Sequence, residues 1–508
     1  MGTKPLAAGK STLRFEGLKT FSDKTEAYIW QRKTFADDYS NWDNSTQGEG
    51  IAYSCSLKCE IDGAEIPVYV ARAAFSSHSF AFVEVSGDAF PFEIRIKTTR
   101  QFNVATILPE KHGVRATAFG QHEFAAVVKK TGTYTFVFDS GIEDAITVMV
   151  RKADDFAVPA GYKEKTIGCG DHPLEETEFT EEKTVYRFRA GNHIVRKIFL
   201  PSNSVLYFEP GAYVKIVDSK ERPGSIINAR GKNNVKVCGR GLLDFSSETA
   251  PADVTVSFFD CKNVRMDGLT LIDSPSWTVC FTACENVEVS DMLVIAYRIF
   301  ADGIMLSDCV NGYVHDSFLR TGDDAAEVKS TSDEKMRTDN ILFKNLDAWT
   351  DKGCGYGIVF ECNHDTQNVR FEDCSIGFAL PNWSRHLGCL TVNTGNNAKS
   401  TDYDIYFKNI EIYYSLCSAV SVCAYEGDIH DIFVDGLTVR YLFSDAPVLV
   451  WVRDADKAHV KDVYLGNVSF GGIALTEKNQ NKYVVIDVPD GVYADSLVHI
   501  DKKFVASK

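Results

Sequence analysis

The sequence predicts an all-β protein in which a right-handed parallel β-helix follows an N-terminal β-sandwich. Three observations predict it. Short units, each opening on a turn-forming residue and continuing with alternating apolar positions, start at Asn234-Val235, Asn263-Val264, Asn286-Val287, Gly312-Tyr313, Asn340-Ile341, Asn368-Val369, Asp404-Ile405, Asp431-Ile432 and Asp462-Val463. Their spacing of 23 to 36 residues fits three short strands and three turns, one coil of a solenoid, and their internal period is that of a strand. Before residue 160 the repeat is absent, and short strand-like runs separated by turn residues take its place.

Each element can be justified in chain order. In the first 160 residues, Asp62-Gly63 between the runs Cys59–Ile61 and Ala64–Ile66 signals a hairpin, because both residues tolerate the positive φ of a tight turn. Further strands are expected at Ser79–Val85, Phe92–Ile96, Glu123–Lys129 and Gly132–Phe138. His78, His112 and His122 are read as surface or hairpin residues, and no catalytic constellation is visible here. Residues 161–190 turn polar and charged and are expected to be a linker. Residues 191–480 are expected to form the β-helix, with Arg196–Val214 as a first coil against which the sandwich packs, and 481–508 a cap or tail covering the open end.

Composition narrows the function. The chain has 508 residues, 44% hydrophobic and 24% charged, with a formal net charge of −16. That sign argues against nucleic acid as a partner, since phosphate binding needs concentrated Lys and Arg. No run of 18 apolar residues occurs, so no membrane span is expected. Without an apolar leader a cytoplasmic location is expected, or a secreted one if a leader has been removed. Fourteen cysteines lack CxxC or zinc spacing, and Cys238, Cys261, Cys280, Cys309, Cys374 and Cys417 fall in strand-like segments, as free thiols of a reducing compartment do. No cofactor or metal is expected, and the oligomeric state is not legible.

The chemistry concentrates between residues 300 and 330. Asp302 precedes Asp323 by 21 residues, close to the shortest repeat, so neighbouring coils bring them side by side at the roughly 4.8 Å strand spacing. Asp324 makes a third carboxylate. Crowded carboxylates raise one another's pKa, which suits a pair of acid and base. Adjacent residues of a strand face opposite sides, so Asp323 and Asp324 share a cleft only if the chain bends, which Gly322 permits.

The runs Ala301-Asp302-Gly303-Ile304, Thr321-Gly322-Asp323-Asp324-Ala325 and Val328-Lys329-Ser330 resemble the core of glycoside hydrolase family 28, the polygalacturonases and relatives. Leu200-Pro201-Ser202-Asn203, Pro210-Gly211-Ala212 and Val237-Cys238-Gly239-Arg240-Gly241 are similar to that family's first coils. A more distant likeness exists to family 49, the dextranases and isopullulanases, which join a sandwich to the same kind of helix. The resemblance implies inverting hydrolysis of an oligo- or polysaccharide, with Asp323 as general acid and Asp302 and Asp324 activating water. Lys329 matches a family lysine and shares a strand face with Asp323 and Glu327.

Arg298, Tyr356, Glu361 and His364 fall near that face by repeat phase, and Arg385 lies in the longest insertion. These are the expected substrate contacts. Trp277, Trp383 and Tyr425 can stack on sugar or on other side chains.

Three departures stand out. Phe300 replaces the family's Asn, Gly355-Tyr356-Gly357 replaces its Gly-His-Gly, and Thr391-Val392-Asn393 aligns with the Arg-Ile-Lys that grips a galacturonate carboxylate. Neither Thr nor Asn supplies the lost charge. A neutral sugar, or a different arrangement of charges, is therefore expected at the cleaved position. The alternatives are an inactive carbohydrate-binding solenoid and a lyase whose acidic cluster binds calcium.

Overall fold

The computed structural model describes residues 5–500 apart from 33–47, 74–75, 140–144, 171–173, 175–177, 218–224, 248–253, 333–336, 381–383, 396–399 and 490–496. It is a right-handed parallel β-helix with an N-terminal β-sandwich. One sandwich sheet has seven strands, ordered Ile51–Tyr53, Tyr69–Ala73, Ser76–Val85, Ile146–Lys152, Gly132–Phe138 and Ala105–Leu108, with Lys10–Ser11 beside Ser76–Val85. The other has five, centred on Phe92–Thr98 between Leu57–Ile61 and Glu123–Val128. Alternation dictates the packing: in Phe92–Thr98 every second residue is buried, and Phe92, Ile94 and Ile96 meet Val83, Phe136 and Val148 of the facing sheet. The expected hairpin is present, with Asp62 and Gly63 both at positive φ.

The solenoid stacks parallel strands on three faces. One face carries Asn233–Gly239, Lys262–Asp267, Glu285–Ser290 and Val310–His315. The next carries Leu242–Asp244, Thr270–Ile272, Leu293–Ile295, Phe318–Thr321 and Asp347–Thr350. The third is a separate eleven-stranded sheet that includes Trp277–Thr282, Ile304–Ser307, Ala326–Ser330, Tyr356–Cys362 and Gly388–Thr394. The Asn that opens each repeat unit has a structural cause. Asn234, Asn263, Asn286, Asn311 and Asn340 all adopt positive φ, and each donates its side-chain amide to the Asn one coil earlier at 2.8–3.0 Å. A residue that tolerates left-handed backbone and carries both donor and acceptor is needed there.

Three expectations need correction. Residues 161–190 are no plain linker: Lys163–Ile167 and Thr184–Phe188 pair in parallel and begin the solenoid. Val185, Tyr186 and Phe188 provide the buried positions that the charged neighbours conceal in a composition count. At the other end the repeat continues, since Val484–Asp487 pairs with Val448–Val452 and Val498–Ile500 with Ala458–Gly466; residues 501–508 lie outside the described residues. The sandwich does not simply cover a first coil. Tyr69, Phe80, Phe82 and Met149 form one apolar cluster with Tyr213, Leu242, Ile272, Leu293, Phe318, Trp349 and Phe378, so the sandwich lies along one face of many coils.

His78 belongs to that contact and not to the surface. It is fully buried against Phe318 and Trp349. Arg320 Nη1 lies 2.9 Å from His78 Nδ1, and Thr147 Oγ1 lies 2.8 Å from Nε2. Since a guanidinium only donates, Nδ1 accepts and the imidazole is neutral, and burial first, then Arg320, holds it so. All fourteen cysteines are free thiols, thirteen of them fully or partly buried.

Candidate active site

The carboxylates converge because of where each coil turns. The chain leaves the face built by Leu293–Ile295 and Phe318–Thr321 and enters the eleven-stranded sheet at Ile304–Ser307 and Ala326–Ser330. Asp302 lies in the first of these turns and Asp323-Asp324 in the next. The register Ile304 opposite Ala326, carried two residues back, sets Asp302 beside Asp324, and Gly303 N donates to Asp324 O at 2.8 Å. Asp323 and Asp324 are thus turn residues, free of the alternation that would send strand neighbours to opposite faces.

Gly322 allows this by close approach and not by positive φ: a Cβ there would stand 2.2 Å from the Arg298 carbonyl oxygen. Gly353, in the following coil, is equally constrained, since its Cβ would meet Asp324 N at 2.3 Å and Asp324 Oδ1 at 2.5 Å.

The cluster is dense and buried. Asp302 and Asp324 are nearly inaccessible, Glu327 is wholly so, and Asp323 retains 9% exposure. One oxygen each of Asp302, Asp324 and Glu327 lie within 4.8 Å of one another. Lys329 Nζ stands beside them, 2.9 Å from Glu361 Oε2, 3.3 Å from Glu327 Oε2 and 3.8 Å from Asp302 Oδ2. Each of the three offers one ligand atom at cation-binding spacing, but the ammonium already supplies the positive charge at that point.

Burial and then the Asp324 charge push Asp323 up to about 8. Burial, followed by Glu327, raises Asp302 well above the carboxylate range. Burial opposes the charge on Lys329, but Glu327, Asp302 and Glu361 outweigh it and hold the ammonium well above its usual range. Asp324 differs from its neighbours in accepting the Cys354 N–H at 2.6 Å, and Asp323 Oδ1 is buried with no hydrogen-bond partner.

The other expected residues divide. Lys329 and Glu361 join the cluster. Arg298 does not: it is fully buried, with Nε on Asp273 Oδ1 at 3.1 Å and Nη2 on the Phe245 and Ser246 carbonyls, so it ties coils together beneath the turn. Tyr356 is also interior, its hydroxyl 2.7 Å from Ser375 O and 3.0 Å from Leu346 O. Tyr356 opens the strand Tyr356–Cys362 at an inward position and Arg298 turns inward from the bend after Leu293–Ile295, and repeat phase reveals neither. His364 ties its turn to the preceding coil through Ser332 O and Ser330 Oγ. Arg385 is exposed and pairs with Asp487 at 3.0 Å, several strands along the sheet from the carboxylates.

Trp277 packs under the Lys329 ammonium, 4.8 Å from its ring centre. Tyr425 packs with His386 and Trp451, and Trp383 lies outside the described residues. Lys352, whose charge opposes the rise in the proton affinity of Asp323, was missed, and Glu327, although placed on the face of Lys329, was not read as a member of the site. Glu327 sits at an inward position where an apolar residue is the ordinary choice, and that is the signal that could have found it.

Residues 212–413 match the family model of glycosyl hydrolases family 28. That stretch contains every residue of the cluster. Polygalacturonase QRT2 of Arabidopsis thaliana is 30% identical over 137 residues, 24% of this chain and 31% of that protein. A probable polygalacturonase of Vitis vinifera is 28% identical over 118 residues, 22% of this chain and 24% of its own. The matches thus span about a quarter to a third of these relatives.

Among solved structures, Dex49A from Penicillium minioluteum aligns over 98% of this chain and 100% of its own with a TM-score of 0.69 at 12% identity. That likeness in fold takes in the sandwich as well as the solenoid. The polygalacturonase from Erwinia carotovora ssp. carotovora aligns over 69% of this chain and all of its own, TM-score 0.50 and 16% identity. The likeness to family 28 read from residues 300–330 is thereby borne out, as is the family 49-like architecture.

Proposed function

We propose that the chain is a glycoside hydrolase that inverts the configuration of the bond it cleaves, with Asp323 as general acid and Asp302 and Asp324 as the carboxylates that activate water. The observation that carries this reading is the contrast between two neighbours in one turn. Asp323 has an unpartnered buried oxygen and an affinity for its proton that keeps it protonated at neutral pH. Asp324, in the same turn, has one oxygen engaged by the Cys354 amide at 2.6 Å. A protonated acid beside an ionised base is what cleavage of a glycosidic bond requires. The family 28 match over the same residues supports the reaction class.

For the sugar, we infer a neutral residue at the cleaved position. Thr391 and Asn393 are fully buried; Thr391 Oγ1 donates to Gly388 O and Asn393 Oδ1 accepts Phe360 N. Neither supplies a cation for a uronate. Next to Asp302, Phe300 is held at φ 65° with 53% exposure, a conformation that costs a non-glycine residue about 1 kcal/mol or more. It offers an apolar face of the kind that stacks on sugar rings.

The test is release of reducing ends from a panel of neutral and uronic oligosaccharides by the wild type and by Asp323→Asn. Release from a neutral member, reduced in the variant by about 100-fold or more, is expected. Undiminished release by the variant would remove Asp323 from its role, and release from galacturonides alone would reverse the sugar assignment.

A further inference from the structure

The cluster contains one carboxylate more than the proposed reaction uses. We propose that Glu327 is a positioning residue that shares one proton with Asp302 and Asp324 and so sets the pH at which those two become the water-activating base. This rests on the hydrolase reading above.

Glu327 lies in the middle of Ala326–Ser330, opposite Met305 on one side and Gly357 on the other. It is fully buried, and no amide or hydroxyl hydrogen bond reaches either of its oxygens. The titratable groups around it are Asp302 from the preceding coil, Asp324 and Lys329 from its own, and the Cys280 and Cys354 thiols on either side. Asp323, Glu361 and Lys352 stand further out on the rim.

Lys329 is divided among three acids, at 2.9, 3.3 and 3.8 Å. Three carboxylates within 4.8 Å of one another and one divided ammonium do not all ionise in a buried site. Retaining one proton satisfies the otherwise bare Glu327 oxygen as an O–H donor, and turns repulsion into a hydrogen bond to Asp302 or Asp324. Burial, the first cause for both, raises Glu327 and Asp302 well above the carboxylate range and places the proton toward them. A simple buried ion pair between Glu327 and Lys329 would not involve the other two acids.

Two measurements test this. In an Asp323→Asn background at neutral pH, the infrared difference spectrum between that variant and the one with Glu327→Gln added should contain the carbonyl band of a buried protonated carboxyl; the buried Asp402, which burial holds well above the carboxylate range, cancels in the difference. A difference spectrum without that band overturns the proposal without reference to any substrate. On the oligosaccharide hydrolysed by the wild type, Glu327→Gln should move the acid limb of kcat/KM to lower pH by about one unit or more, because a like charge next to the base pair is gone. The alkaline limb should stay in place, and Glu327→Asp should keep the wild-type profile. A uniform loss at every pH in both variants, with the acid limb fixed, would make Glu327 merely structural. No release from any oligosaccharide by the wild type would instead sink the hydrolase reading, while the infrared result stands on its own.

Discussion

Asp323 meets opposed demands. Its proton affinity, raised to about 8 by burial and Asp324, suits an acid at neutral pH and burdens the fold. Because the folded state binds this proton more tightly than the unfolded chain does, stability is fully present below about pH 4 and declines as pH rises through about 8. Asp323→Asn removes that dependence. The variant is therefore expected to melt higher than the wild type at pH 7 to 8 and to converge with it below pH 4, as calorimetry across pH would read. For activity, kcat/KM should fall on the alkaline side with a midpoint near 8 as Asp323 ionises, and a pH profile checks it. At Phe300 the expectation concerns binding: Phe300→Ala should raise KM several-fold and leave kcat nearly unchanged, since the ring meets substrate and transition state alike.

At the scale of elements, the asparagine ladder holds adjacent coils in register along one corner. Asn311 donates to Asn286 and accepts from Asn340, at φ 60°. Asn311→Ala should cost about 1–2 kcal/mol in denaturant unfolding, from two lost bonds at a solvated edge and a strained backbone. The turn that carries Asp324 depends on Gly353, and Gly353→Ala should reduce turnover more than stability, because its Cβ displaces Asp324 directly.

This distinction explains what the sequence made legible. The ladder asparagines and the alternating runs have strict local requirements that repeat, so the coils and the Asp302 to Asp323 spacing could be read. The inward or outward direction of Arg298 and Tyr356 depends on how each coil bends. Glu327 is one exception inside an apolar position, and a single exception does not form a pattern.

At the scale of the molecule, the sandwich is bound to the solenoid through buried polar contacts as well as apolar ones. Arg320 is inaccessible, pairs with Asp351 at 3.2 Å and donates to His78 across the boundary. Arg240 likewise reaches Glu84 at 2.8 Å. Breaking such a pair leaves an uncompensated buried charge. Arg320→Ala should cost about 3–5 kcal/mol and, because Asp351 opens the segment that leads to Gly353 and Cys354, should also lower kcat. Equilibrium unfolding with parallel kinetics would separate the two effects.

A cleft of about 720 Å³ runs along this boundary, lined by Lys111, Lys130, Lys152 and Lys344, and it reaches none of the four carboxylates. The chemistry is assigned to the turn, where the carboxylates converge, and not to this cleft. The central claim is that the carboxylates of this turn cleave a glycosidic bond with inversion, and NMR of the first product formed tests it most directly. The account predicts a first anomer opposite in configuration to the bond cleaved, absent in Asp323→Asn. A first product that retains the configuration would contradict it.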